Sequence, residues 1–291
     1  MNWLHVVILA LIQGLTELLP VSSSAHVIVM AELLHENMST PANALLLVML
    51  HTGTMFAVIA YFWRRWMEEF LSSWARFWRF CQLVFVASLF SGLIGYPLIV
   101  LVEHILSHGN HHAAIEALFH KLNWIAPALA IVGLLILYAG LREVRRPAAE
   151  NAKRARGIRW LDAVVMGVLQ GFAIPFRGFS RSGSTISGGL LNGGNRAEIE
   201  SFSFAMVVAI TPLAIAREAW RLMHRADVTG VAVHWGAALA PSLLGMVCAF
   251  LAGLVALRWL SRWLEQGRWH WFGVYCLCAA TVVQILYWRG W

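Results

Sequence analysis

Charge is what this chain has least of. Only 13% of its 291 residues are Asp, Glu, Lys or Arg, while 59% are hydrophobic. With a mean hydropathy of +0.67, that balance excludes an ordinary water-soluble domain, in which about a quarter of residues are charged. Cysteine is also scarce. The four, Cys81, Cys248, Cys276 and Cys278, lie in or beside apolar stretches and show no metal or disulfide spacing. No Lys or Arg precedes the apolar stretch that begins at Met1, and Gln13, Thr16 and Glu17 sit inside it. Both features argue against a cleaved signal peptide, although Ser22-Ser23-Ser24-Ala25 mimics a cleavage site.

What the chain has in abundance is long apolar runs. Ala44 to Trp63 and Gly236 to Leu257 are typical, each near the roughly 20 residues a helix needs to cross ~30 Å of hydrocarbon. Fifteen Trp residues suit belts at both membrane faces. The pattern predicts full spans over 43–63, 81–101, 123–141, 200–217, 236–257 and 271–288. Residues 3–35 and 161–194 are apolar too, but polar and Pro or Gly residues break each near its middle. Neither half of either stretch is long enough to cross, which is the signature of a re-entrant helix hairpin.

The net charge of +7 would raise nucleic acid as a partner in a soluble protein. Here the basic residues fall in short connections, so they read as topology signals and no nucleic-acid partner is expected. Arg64, Arg65, Arg76 and Arg79 after the first span mark a cytoplasmic side. So do Arg142, Arg145, Arg146, Lys153, Arg154, Arg156 and Arg159 after the third, and Arg258, Arg262 and Arg268 later on. Residues 34–43, without Lys or Arg, and the histidine-rich 109–121 then face outward. Arg217, Arg221 and Arg225 run against this scheme.

An internal repeat organises the rest. Leu11-Ile12-Gln13-Gly14 is echoed by Val168-Leu169-Gln170-Gly171, and each is followed by a serine cluster, Ser22 to Ser24 and Ser180 to Ser184. A hairpin adds no crossing and three spans reverse the side, so two copies of that unit must be inverted. The expected architecture is a single all-α integral-membrane domain. Repeat one covers 1–141, a cytoplasmic linker 142–160, and an inverted repeat two 161–288. Such repeats place their site near the midplane.

The broken segments carry the chemistry. Gln13 and Glu17 are four apart and share a helix face. Pro20 ends that helix, and Ser22 or Ser23 suits the N-cap of the next, whose free N–H groups can bind an anion. Ser23 and His26 are three apart, so a hydroxyl and an imidazole can face one cavity. A Ser cluster at a helix start is more often plain capping. An ionised Glu17 inside a membrane is costly without a partner and so points to function. In the second segment Arg177, Ser180, Arg181, Ser182 and Thr185 surround Gly178 and Gly183, a set suited to phosphate oxygens. Close helix packing is explanation enough for Gly188, Gly189 and Gly193.

Three motifs together, Glu17 to His26, Gly178 to Thr185, and Phe62-Trp63-Arg64-Arg65, resemble the undecaprenyl-diphosphate phosphatase family of the bacitracin-resistance type, in order and spacing through nearly the whole chain. That resemblance implies a bacterial inner-membrane enzyme that removes the terminal phosphate of undecaprenyl diphosphate for reuse of the carrier lipid in peptidoglycan synthesis. It implies a divalent cation, Mg²⁺ or Ca²⁺, held with the help of Glu17. It further implies that Ser23 or His26 attacks phosphorus and that Arg181 clamps the phosphates. By the same resemblance Gln13, Ser22, Ser180, Ser182 and Thr185 line the substrate; Arg177, a departure from the pattern, adds a phosphate contact or disturbs the loop, and the charge-derived topology has the active site facing the periplasm. His51 matches a polar position in the next span and is equally well read as a packed residue. Gln13 stands where many members carry Glu, Arg177 replaces a Pro, and Ala25 replaces a Gly. A homodimer is left open.

Two rival readings differ in one feature each. A polyprenyl-phosphate flippase would share the fold and the anion contacts but need no nucleophile, and Ser23 with His26 beside Glu17 favours the enzyme. Another class of membrane lipid phosphatase has a catalytic His six residues after its motif Arg, where this chain has Ser187. His104, His108, His111, His112 and His120 invite a metal reading, but they have no matching acidic set.

Overall fold

A computed structural model describes residues 2–36, 40–106, 122–145, 157–229 and 235–289. His108, His111, His112 and His120, together with Arg146, Lys153, Arg154 and Arg156, lie outside the described residues. Among the described residues all regular structure is helical, in ten helices. In chain order these are α1 (Trp3–Leu18), α2 (Ser23–Leu33), α3 (Pro41–Glu69), α4 (Trp74–Leu106) and α5 (Leu122–Arg145). There follow α6 (Trp160–Ala173), α7 (Arg181–Leu191), α8 (Arg196–Thr229), α9 (Trp235–Glu265) and α10 (His270–Trp288).

Five of them, α3, α4, α5, α9 and α10, are long and apolar enough to cross a membrane. The chain is a multi-pass helical membrane protein. The remaining expected span, 200–217, lies within α8, a continuous helix of 34 residues whose later side chains fall partly outside those described. Arg217, Arg221 and Arg225, expected in a loop, stand on α8. Arg64, Arg65, Arg142 and Arg145 likewise sit on the last turns of α3 and α5. The helices outrun their apolar stretches because backbone hydrogen bonding continues past the hydrocarbon boundary into the interface.

The two interrupted stretches each form a short helix pair. α1 and α2 have 16 and 11 residues, α6 and α7 have 14 and 11. At 1.5 Å per residue none exceeds about 24 Å, short of the ~30 Å hydrocarbon layer.

The chain divides into two compact units, and neither coincides with one sequence repeat. The first comprises Met1–Leu19, Ser23–Arg64 and Val207–Trp259. Its core joins Val6, Leu9 and Ala10 of α1, Val27 and Ala31 of α2, Leu46 and Leu50 of α3, and Ala249 of α9. Gly14 sets the α1–α9 approach: a Cβ there would lie 2.6 Å from both the Ala249 carbonyl oxygen and the Ala252 Cβ. At the open end of the first hairpin, His5 Nδ1 lies 2.8 Å from Glu36, and Asn43 at the start of α3 donates to the same carboxylate at 3.4 Å.

Gly14→Ala is expected to lower the melting temperature in detergent, at an overpacking cost of about 1–3 kcal/mol. Gly92→Ala, where nothing lies within 4 Å of a new Cβ, is expected to leave it unchanged or raise it slightly.

The second unit comprises Pro20–Ser22, Arg65–Met206 and Leu260–Trp291. In it α4 packs on α6, α5 on α10, and α7 on both α5 and α6. Gly171 of α6 allows the approach to Ser91 and Ile94 of α4. The Gln170 side chain donates to Ser91 Oγ at 3.1 Å, and that hydroxyl donates to the carbonyls of Ala87 and Gly167. The open end of the second hairpin is pinned by Arg159, which bonds Asp162 and the Asn192 carbonyl, and by Arg142, which donates to the Leu191 carbonyl. The two glycines of the echoed Gln-Gly motif thus play matching parts. Gly14 seats α1 on α9 in one unit, and Gly171 seats α6 on α4 in the other.

Candidate active site

The first cluster belongs to the first unit. α1 stops at Leu18 because Pro20 cannot continue a helical ladder. The chain turns through Ser22, held in the left-handed region at φ 66°, and α2 starts at Ser23. This tight reversal folds Ser23 back over the end of α1, where its hydroxyl donates to Glu17 Oε2. Gln13, one turn earlier on the same face, donates its amide to that oxygen at 3.2 Å. A third group comes from α3: His51 Nε2 stands 3.9 Å from Glu17 Oε2.

His51 Nδ1 lies 2.8 Å from the Leu47 carbonyl oxygen. A carbonyl only accepts, so Nδ1 carries a hydrogen, and Nε2 is the ring atom turned toward Glu17. A serine hydroxyl on a carboxylate has a proton acceptor in place, an arrangement that hydroxyl nucleophiles use. His26 lies three residues along α2 from Ser23 and is half-buried; Ser22 is buried. The hydroxyl of Ser23 is directed to Glu17, and His51, the polar position of the next span, stands beside the same carboxylate. Its signal was available as a histidine inside an apolar span.

The same donors fit a divalent cation. Glu17 offers a carboxylate oxygen and His51 an imidazole nitrogen. Among the described residues no three or more His, Cys, Asp or Glu side chains gather in a cage. A cation here would therefore take its remaining ligands from phosphate oxygens and water, the usual arrangement for Mg²⁺ on phosphorylated substrates.

The second cluster belongs to the second unit and is built on the start of α7. Gly178, at φ +98°, lets the loop pass within contact of α5, where a Cβ would lie 2.6 Å from the Ile125 carbonyl oxygen. Ser180 caps α7 by accepting from Gly183 N at 3.2 Å, and Arg181 is the first helical residue. Ser182 Oγ is 3.5 Å from Ser180 Oγ. Thr185 bonds the Arg181 carbonyl at 2.9 Å and Ser203 Oγ at 2.7 Å, and Arg177 is half-buried in the loop before the cap. A capped helix start with a guanidinium on its first residue attracts anions through its positive dipole end. Nine of the eleven α7 residues are buried, so this positive end is held rigidly.

The turn between α1 and α2 also belongs to this unit. The Pro20 carbonyl accepts from Cys276 Sγ at 3.2 Å, and a Cβ at Gly183 would lie 3.2 Å from Pro20 Cβ. Pro20 thus rests on the helix that begins with Arg181.

Ser187, where the other lipid-phosphatase class would have its histidine, is structural. Its hydroxyl accepts from Trp269 Nε1 at 2.9 Å, with both residues fully buried. Ser187→Ala strands that indole N–H. The expected result is a loss of about 1–3 kcal/mol in stability, read as a lower melting temperature with phosphate release per folded molecule retained.

Fold and site define a class: a multi-pass helical membrane protein with two broken hairpins, one bearing a serine–carboxylate pair and the other a capped, arginine-headed helix start. The chain belongs to the bacitracin resistance protein BacA family, whose model matches residues 6–282. It is 46% identical over 288 residues to "Undecaprenyl-diphosphatase 2" of Acinetobacter baylyi, with 98% of each chain covered. It is 32% identical over 289 residues to "Undecaprenyl-diphosphatase" of Gluconobacter oxydans, covering 96% of each. Identity to the protein of the same name from Rhodopirellula baltica is 30% over 288 residues, covering 97% of each.

Proposed function

We propose that this chain is an undecaprenyl-diphosphate phosphatase, hydrolysing the terminal phosphate of undecaprenyl diphosphate to give undecaprenyl phosphate and inorganic phosphate. The single observation that carries the reading is the hydrogen bond from Ser23 to Glu17, set in a chain nearly half identical to a protein of that name. A flippase needs charge neutralisation and an apolar path. It has no use for a hydroxyl seated on a carboxylate.

In this reading Ser23 is the nucleophile. Its proton passes to Glu17 as Oγ attacks the terminal phosphorus, and the bridging P–O bond breaks with undecaprenyl phosphate leaving. Water then releases phosphate from the serine. Arg181 and the α7 N-terminus stabilise the charge that develops on the phosphoryl oxygens and the leaving group. Arg177, Ser22, Ser180 and Ser182 contribute to holding the diphosphate, and Thr185 fixes α7 through Ser203. His26 serves as acid for the leaving group. A divalent cation at Glu17, when bound, supplies further neutralisation of the diphosphate. The prenyl tail lies among the apolar faces of the spans.

The proposed sidedness is supported by charge and by the ties at the hairpin mouths. The first hairpin is tied to the start of α3, at Asn43, and the second to the end of α5, near Arg142. With α3, α4 and α5 each crossing, those two ends are on opposite faces, which supports the inverted repeat. The basic end of α5 is cytoplasmic by the positive-inside rule, so the first hairpin opens to the periplasm. Hydrolysis on that face of the bacterial inner membrane supports recycling of the carrier lipid. Removing divalent cations with a chelator is expected to abolish phosphate release by the purified protein, and returning Mg²⁺ or Ca²⁺ to restore it. Full release in the chelator would remove the cation from the account.

A further inference from the structure

Arg181 heads α7, and its backbone is held by a chain of hydroxyls that ends on another helix. The Arg181 carbonyl oxygen accepts from Ser184 Oγ and from Thr185 Oγ1, each at 2.9 Å. Thr185 Oγ1 in turn lies 2.7 Å from Ser203 Oγ of α8. A carbonyl only accepts, so Thr185 is the donor at Arg181; its one hydrogen is then committed, and Ser203 is the donor to Thr185. Thr16, Thr52 and Thr211 turn their hydroxyls to the carbonyl four residues back in their own helices, the usual habit of a hydroxyl inside a helix. Ser203 reaches across to a neighbouring helix. It is 2% exposed and lies between the fully buried Phe202 and Phe204, a place where a hydroxyl costs stability unless it is bonded.

Ser203 is itself held. Just before it on α8, the Ser201 carbonyl accepts from Trp66 Nε1 at 3.2 Å, and Glu200 accepts from the Ser261 hydroxyl in a buried pair. The Phe202 ring meets Phe80 of α4 edge-on, with centroids 6.3 Å apart. This stretch of α8 is therefore fixed on the ends of α3 and α9 and on α4, and all of these residues belong to the second unit. Ser203 carries that fixed position to the first turn of α7. There Ser182 through Leu190 are buried while Arg181 is partly exposed, so a small shift of the turn is felt at the guanidinium.

We infer that Ser203 is a positioning residue for Arg181, acting through Thr185 to set where the guanidinium meets the phosphate oxygens. The inference rests on the phosphatase reading and goes beyond it, since Ser203 lies outside both hairpins and acts on a phosphate-binding group from α8. A planar fork must be aimed to hold two oxygens, and a displacement of about 1 Å at a reacting centre can cost about 10²-fold in rate.

The test measures phosphate release from radiolabelled undecaprenyl diphosphate, with a thermal melt on the same sample of purified full-length protein in detergent. Wild type, Ser203→Ala, Ser203→Thr and Thr185→Val are compared, each with Arg181 and with Arg181→Ala. With Arg181 present, Ser203→Ala and Thr185→Val are each expected to lower kcat/KM per folded molecule by about tenfold or more, while Ser203→Thr, which keeps the hydroxyl, stays within about threefold. With Arg181→Ala the same substitutions are expected to change the residual rate by less than about twofold, because the group they position is gone. Ser187→Ala, which removes a buried hydroxyl bond further along α7, is the control: its melting temperature falls and its release per folded molecule is retained. Wild-type kcat/KM in Ser203→Ala overturns the inference. So does a loss of equal size with and without Arg181, the mark of general loosening. If Ser203→Ala does not fold, Thr185→Val decides by the same two comparisons, since valine keeps the threonine shape. Wild type that releases no phosphate ends the phosphatase reading and the inference together, whereas an active wild type matched by an equally active Ser203→Ala ends the inference alone.

Discussion

Ser23→Ala is expected to reduce phosphate release from undecaprenyl diphosphate by about a thousandfold or more, with the melting temperature nearly unchanged. Nucleophile removal in a preorganised site typically leaves only the part of the rate that comes from charge stabilisation and binding. Ser23 sits at the first position of α2 and its hydroxyl points at a carboxylate rather than into the helix, so the folded chain loses one partly buried hydrogen bond and no packing. The loss should fall on kcat, since the substrate's many charges are held by other groups. The check is steady-state phosphate release with circular dichroism and a thermal melt on the same sample. Activity within tenfold of wild type would move the nucleophile to His26, the other group that the helix spacing offers.

Arg181→Ala is expected to cost about 10³-fold or more in kcat/KM, in the range found when an arginine that neutralises a transferring phosphoryl group is removed. Arg181→Lys should recover only part of this, because a point charge replaces a planar fork that can hold two oxygens. The α7 start remains capped by Ser180 in either variant, so the helix N–H groups still bind anion and KM should rise in both. If both variants released phosphate as fast as wild type, the second serine cluster would be a packing element alone.

The membrane character, five of the six expected spans and the two broken helix pairs could be read from the sequence because they depend on the length of apolar runs and on where Pro and polar residues interrupt them. Ends could not. α3 and α5 carry their arginines as continuing helix, and α8 carries Arg217 through Arg225, since hydropathy marks the hydrocarbon boundary rather than the last hydrogen bond. The Gln13–Glu17 face followed from helical periodicity. The bond from Ser23 to Glu17 did not, because it is made by a non-helical turn whose shape depends on Ser22 taking a left-handed conformation. His51 was visible as a histidine inside an apolar span, but its 3.9 Å approach to Glu17 was not, because it depends on how α3 packs in the first unit. Nor did the repeat announce that each unit takes helices from both halves, with α1 seated on α9 and α6 on α4.

The central claim is that the chain releases phosphate from undecaprenyl diphosphate and that Ser23 and Arg181 are both required for it. The measurement that tests it most directly is phosphate release from undecaprenyl diphosphate by purified wild type, Ser23→Ala, Arg181→Ala and the double variant in detergent. Residues that work as a unit are strongly non-additive, so each single variant should lose nearly all activity and the double variant little more. A folded wild-type protein that binds the lipid and releases no phosphate would contradict the account and favour a carrier of polyprenyl phosphate.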